Sequence, residues 1–255
     1  TLGKFQEPLL HLENKLESGL YCELVSRELL DGFVEYTLLY DMIANRIPIS
    51  EVCVEHGKMR LMQNTYWEFD SLPHMLIAGG TGGGKTYFIL TLIRALRQTN
   101  AVLYILDPKN ADLADLSAVL PNVCSRKEEI VQCITDFCTA MHERSADMKR
   151  MENYKTGENY AYLGLPPQFL VFDEYVAFME MLTSREREDV LNKLRQIVML
   201  GRQAGFFLIL ACQRPDAKYL GDGIRDQFNF RVALGRMSEL GYSMMFGETK
   251  KEFFF

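Results

Sequence analysis

This sequence predicts an α/β fold: a mostly parallel sheet with helices on both faces, plus a small β-rich appendage at the N-terminus. Three observations predict it. From residue 74 onward, short apolar runs alternate with longer segments of helical period. Those runs are apolar almost throughout, as in strands buried on both faces. A glycine-rich turn joins the first of them to the first helical segment. The division this implies is a β-rich segment over residues 1–70 and a main domain over 71–255.

Within residues 1–70, "GLYCELVSR", "GFVEYTLLY" and "GKMRLMQNTYWEF" read as short strands, with turns at Gly19, Asp31-Gly32 and His56-Gly57. "HMLIAG" is a short apolar run ending in glycines, hence a buried strand. "KTYFILTLIRALRQ" carries Phe88, Leu92, Ala95 and Leu96 at helical spacing. "AVLYILD" reads as a second buried strand. "KEEIVQCITDFCTAMHERSADMKRMENY" places Ile130, Ile134, Phe137 and Met141 on one face of a long amphipathic helix. "QFLVFDE" is a third strand. "TSREREDVLNKLRQIVMLGRQ" opens with Thr183 and Glu186 at capping-box spacing and continues as a helix. "FFLILAC" and "FNFRVALG" supply a fourth and a fifth strand.

Composition narrows the class. Apolar residues at 48% and charged residues at 24% match a soluble globular domain. No apolar run reaches the roughly 18 to 20 residues that cross a bilayer, and no signal peptide opens the chain. The chain starts at Thr1 and stops at Phe253-Phe254-Phe255, which reads as an excised fragment. The net charge of -6 argues against a generally basic nucleic-acid binder, though not against a ring whose pore alone is basic. The six cysteines form no CxxC pair and read as reduced thiols of a cytosolic protein. Zinc is not expected from the scattered histidines and cysteines.

The chemistry is carried by two strand tips. Gly79-Gly80-Thr81-Gly82-Gly83-Gly84-Lys85-Thr86 fits G-x-x-x-x-G-K-[ST]. Glycines permit the backbone angles that turn N–H groups inward onto an anion, and the helix that follows aims its positive end at the phosphates. Lys85 would reach the β- and γ-phosphates of ATP, and the Thr86 hydroxyl would ligate Mg²⁺. "FLVFDE" is an apolar strand that ends in two carboxylates, Asp173 and Glu174. A buried strand tolerates such charges at its C-terminal tip, where α/β sheets bind ligands. Asp173 would hold Mg²⁺ and Glu174 would act as general base on the attacking water. The plainer reading of the acidic pair is a helix N-cap, which Asp suits.

Gln213, in "LACQRPD", lies just past the fourth strand, where a polar group could sense the γ-phosphate. Phosphoryl transfer builds charge that an arginine from a neighbouring subunit often neutralises. Arg195, Arg202, Arg214, Arg231 and Arg236 are the candidates, with Arg202 the first choice and Arg231 the second.

On these motifs the chain resembles the motor domain of FtsK/SpoIIIE-type DNA translocases, within the HerA–FtsK group of RecA-like P-loop ATPases. "LPHMLIAGGTGGGKT", "LYILDPKNADL", "FLVFDEYVAFM", "GRQAGFFLILACQRPD" and "FNFRVALGRMS" carry the resemblance over roughly residues 70 to 240. The chain also looks like the coupling ATPases of Gram-positive conjugative elements, which carry this domain behind N-terminal membrane helices. The resemblance implies a cytoplasmic domain of a membrane-anchored parent. It also implies ATP and Mg²⁺ between the subunits of a hexameric ring, DNA pumped through the pore without regard to sequence, and relaxase or channel proteins as partners. It assigns phosphate and Mg²⁺ to Lys85 and Thr86, the second acidic motif to Asp173 and Glu174, and nucleotide sensing to Gln213. Asp107 and Lys109 match the family's "DPK", to which the residues themselves assign no role.

Departures are also legible. Residues 1–70 match the family poorly, and no winged-helix domain is visible. Three consecutive glycines, Gly82 to Gly84, predict a looser loop, and the chain stops where final strands are expected. Pore loops need Lys or Arg for phosphate contact. Lys109, Lys218 and Arg225 are the candidates, with Tyr219 available to stack on a single strand. Two other classes stay open: an ATPase that energises secretion of a non-DNA cargo, and a nucleotide-gated docking scaffold. The intact Glu174 speaks against the scaffold.

Overall fold

The computed structural model describes residues 11–20, 23–31, 33–39, 45–80, 82–215, 220–235 and 237–247. Thr81, Asp216, Lys218, Tyr219, Arg236, Cys22, Gly32 and the terminal phenylalanines lie outside the described residues.

The first seventy residues hold more than the strands expected of them. Helix α1 (Glu13–Leu20) precedes an antiparallel hairpin of β1 (Glu23–Leu30) and β2 (Phe33–Leu39). After a single 3₁₀ turn, β3 (Val54–Glu55), β4 (Lys58–Met62) and β5 (Thr65–Glu68) form a three-stranded antiparallel sheet. The stretch "GKMRLMQNTYWEF" is therefore two strands, reversed at Gln63-Asn64. Trp67 is fully buried, donates its indole N–H to the Leu72 carbonyl at 2.8 Å, and meets Phe69 and Phe169 edge to face. Phe69 in turn meets Phe207. Phe169 and Phe207 open two strands of the main sheet, so this small sheet closes the sheet's N-terminal edge.

The main sheet follows the predicted alternation. β6 (Met75–Gly79) leads into α2 (Lys85–Leu96), and β7 (Val102–Leu106) is followed by the two-residue β8 (Val123–Cys124). α3 (Lys127–Met148) buries Ile130, Ile134, Phe137 and Met141, as its period predicts. It ends before Tyr154, where the chain passes into tight turns such as Tyr154 N–H to the Met151 carbonyl. β9 (Gln168–Phe172), α4 (Tyr175–Met181), α5 (Ser184–Ala204), β10 (Phe206–Cys212), α6 (Asp222–Arg225), β11 (Phe230–Leu234) and α7 (Glu239–Phe246) complete it. The six strands are all parallel, in the order β11-β6-β10-β9-β7-β8. This is the predicted P-loop type of α/β fold.

Helix α5 starts as its sequence says. Glu186 N–H donates to Thr183 Oγ1, Glu186 Oε2 accepts the Thr183 N–H at 2.8 Å, and Lys127 pairs with Glu186. Among the described cysteines all five are free thiols.

One buried polar group ties β6 to its neighbours. His74 is fully buried with a left-handed φ of 63°, so its backbone leaves the strand. Its ring takes over: Nδ1 accepts the Leu208 N–H at 3.0 Å, and Nε2 lies 3.0 Å from the Val198 carbonyl. That pair of bonds requires the neutral ring with its proton on Nε2. Burial accordingly pushes the His74 pKa down to about 4. The unfolded chain takes up this proton near pH 6.5, so its share of stability is complete above that value and is lost as pH falls toward 4. We expect a loss of roughly 3 kcal/mol over that window from this group. Urea denaturation at several pH values checks it against His74→Gln, which does not titrate. Equal pH slopes in the two proteins would contradict the assignment.

Candidate nucleotide-binding site

Parallel strands deliver their C-terminal tips to one edge of the sheet, and the predicted residues arrive there together. Ala78 of β6 pairs with Cys212 of β10, and Phe172 of β9 pairs with Leu210 of β10 and with Leu106 of β7. The glycine turn, Gln213, Asp173 and Asp107 therefore leave the sheet from neighbouring strands.

The turn after β6 is fixed rather than loose. Gly82 and Gly84 hold φ values of 78° and 88°, where a side chain is strained. A Cβ on Gly83 would lie 2.9 Å from the Leu234 carbonyl oxygen at the end of β11. Each of the three consecutive glycines thus meets a geometric demand, which corrects the expectation of slack. Gly83 N–H closes the turn on the Gly80 carbonyl at 3.0 Å. No side chain caps α2, so its first N–H groups face the turn. Gly79 and Gly80 enter this cradle from the strand, and Thr86 stands half-buried on its first helical turn.

Lys85 is buried, and its ammonium donates to Glu174 Oε1 at 2.9 Å. Lys109, on the turn after β7, reaches the other oxygen of the same carboxylate at 3.0 Å. Burial pushes the Glu174 carboxyl up, but the hydrogen bonds from Lys85 and Lys109 outweigh it and hold it below the usual range. Asp173 is buried, and burial raises its pKa, opposed by Lys85 and by the Glu174 N–H that its Oδ1 accepts at 2.8 Å. Glu174 occupies the N-cap position of α4 but makes no side-chain cap bond, and its φ of 49° is left-handed. A non-glycine residue held there costs of order 1 kcal/mol and is typical of functional positions. Cys212 lies behind the cluster as a neutral thiol, pushed up to about 12 by burial.

The remaining predicted residues divide. Gln213 is exposed at the tip of β10, on the same edge. Arg202 is exposed in the last turn of α5, just before β10 begins. The seven residues of β10 separate it from that edge, about 20 Å along an extended strand. Arg231 is held inside its own chain: it donates to the Phe228, Met245 and Arg225 carbonyls and pairs with Asp226. That corrects its candidacy for a neighbour's site. Lys109 is likewise no free pore-loop cation, because it is paired with Glu174. The sequence offered Lys109 only a pore-loop role and Asp107 none; their signal at this site was the "DPK" motif at a strand tip. Asp107, 2% exposed, accepts N–H bonds from Lys109, Ala111 and Ala114.

The donor set also suits Mg²⁺. Thr86 and Asp173 offer hard oxygens, and Mg²⁺ characteristically takes one or two protein oxygens and completes its shell with phosphates and water. Among the described residues no group of three or more His, Cys, Asp or Glu side chains is placed to hold a metal ion.

Residues 48–164 match the model of the FtsK/SpoIIIE family, a stretch that includes the glycine turn and Lys109. The FtsK-domain protein YdcQ of Bacillus subtilis is 57% identical over 253 residues, 99% of this chain and 53% of that protein. The chain carries an FtsK/SpoIIIE-family domain. The DNA translocase FtsK of Borreliella burgdorferi is similar to this chain at 24% identity over 211 residues, 77% of this chain and 26% of that protein. The chain thus spans about half of the first of these curated relatives and a quarter of the second. Among solved structures, the pCW3 conjugation coupling protein TcpA, a monomer form with ATPγS, superposes with a TM-score of 0.74 at 19% identity. That match covers 96% of this chain and 75% of TcpA and speaks for the fold alone. No described helix is long and apolar enough to cross a membrane.

Proposed function

We propose that this chain is the motor part of an ATP-driven DNA translocase. One observation carries the ATPase half of the reading. Lys85 and Glu174 lie 89 positions apart in sequence and 2.9 Å apart in space, which supports reading them as the phosphate-gripping and water-activating groups of one site. The DNA half is supported by the FtsK relatives, which are named DNA translocases.

In this reading the backbone N–H groups of the 79–86 turn receive the triphosphate, and Lys85 leaves Glu174 for the β- and γ-phosphates. Thr86 and Asp173 would hold Mg²⁺, which would supply charge neutralisation to the phosphates. Glu174, still paired with Lys109, orients and deprotonates the attacking water. Gln213 reads the presence of the γ-phosphate from the neighbouring strand tip. Arg202 lies just before the start of β10, the far end of that strand from its own site, which favours action on the nucleotide of an adjacent subunit in a ring, with six subunits as the family resemblance implies. Residues 49–70 belong with the motor because Trp67 and Phe69 sit in its core, so the appendage is best confined to residues before 49. A role in conjugation, with relaxase or membrane-channel partners and a membrane anchor outside this chain, extends the same reading.

ATPase rates measured against added single- and double-stranded DNA, at two salt concentrations, test it. Sequence-blind stimulation that fades as salt rises is the expected result, because phosphate contacts release counterions. Hydrolysis indifferent to both forms of DNA would overturn the translocase reading and favour a non-DNA cargo.

A further inference from the structure

Glu174 has two cationic partners where one would neutralise it. Its side chain is 15% exposed and shares its two oxygens between Lys85, 8% exposed, and Lys109, 45% exposed. Resting on the nucleotide-site reading above, Lys85 has to surrender its bond to Glu174 when phosphate arrives. A carboxylate this far out of water is destabilised if left unpaired. We propose that Lys109 is a positioning residue that retains the Glu174 carboxylate while nucleotide draws Lys85 away.

The chain around Lys109 is built for this. Pro108 fixes its own φ, and the buried Asp107 carboxylate accepts the N–H groups of Lys109 at 3.2 Å, Ala111 at 2.8 Å and Ala114 at 3.1 Å. Asn110 takes a left-handed φ of 49° and donates its N–H to the Asp107 carbonyl at 3.0 Å. None of these bonds involves Glu174, so the backbone of Lys109 is held independently of the ion pair. An ordinary surface pair gains little because both partners are mobile and solvated; here one partner is largely buried and the other springs from a pinned turn. Lys85 and Lys109 are the cations on Glu174, while Asp173, Asp107 and the neutral Cys212 surround the cluster. The "DPK" motif thereby acquires a division of labour: Asp107 builds the turn and Lys109 uses it.

The test is a double-mutant cycle on nucleotide affinity. A fluorescent ADP analogue is titrated without Mg²⁺ into the wild-type chain, Lys109→Ala, Lys109→Arg, Glu174→Gln and the Lys109→Ala/Glu174→Gln double variant. Lys109→Ala is expected to weaken binding about tenfold, the scale of one charge-assisted bond. Lys109→Arg should restore affinity to within about threefold, since the charge and reach are kept. In the Glu174→Gln background, Lys109→Ala should change affinity by less than about twofold. Equal weakening in both backgrounds would mean that Lys109 contacts phosphate itself, and would overturn the proposal. No weakening in the wild-type background would overturn it too. Lys85→Ala in the same assay separates the two levels: normal binding there would defeat the nucleotide-site reading, whereas lost binding there without coupling between Lys109 and Glu174 defeats this inference alone.

Discussion

Lys85→Ala is expected to reduce kcat/KM for ATP by about 10² to 10³, the scale of removing one preorganised charge donor from a transition state. The substitution removes the only buried cation among the described residues of this edge. It also leaves Glu174 with Lys109 as its remaining cationic partner. Nucleotide affinity should fall with the rate, because the same ammonium serves ground state and transition state. Steady-state ATPase assays beside equilibrium binding check both. An unchanged rate would remove Lys85 from the site, and with it the meaning assigned to the glycine turn.

The second large effect is expected from Glu174→Gln. The amide is nearly isosteric but cannot take a proton, so turnover should drop by about 10² to 10⁴, the usual worth of a general base. Binding should survive or tighten, because Lys85 is no longer held by a carboxylate at 2.9 Å. A variant that binds ATP and does not cleave it is the signature sought, measured by single-turnover hydrolysis beside nucleotide affinity. Wild-type turnover would move the base elsewhere.

Much of the fold was legible because buried parallel strands announce themselves. "HMLIAG", "AVLYILD", "QFLVFDE" and "FFLILAC" each became a central strand within a residue or two of the expected ends. The capping box at Thr183 and Glu186 fixed the start of α5. Less was legible where a short element depends on its neighbours. β8 has two residues and exists because Ile105 and Leu106 offer an edge to Val123 and Cys124. The Gln63-Asn64 reversal carries no glycine to announce it, so β4 and β5 read as one strand. At the candidate site, the glycines, Lys85, Thr86 and the acidic pair stood out in the sequence because each sits in a local pattern. The pairing of Lys109 with Glu174 was not, since the fold alone brings β7 beside β9. Arg231 misled for the same reason: its carbonyl partners come from segments on either side of it in sequence.

The central claim is that a triphosphate lies in the 79–86 turn, facing Asp173 and Glu174. A structure determined with a non-hydrolysable ATP analogue and Mg²⁺ tests it most directly. The expected result is phosphate oxygens on the N–H groups of the turn, Lys85 moved from Glu174 to the phosphates, and a metal held by Thr86 and Asp173. A triphosphate bound elsewhere, with the Lys85–Glu174 pair still closed, would contradict it.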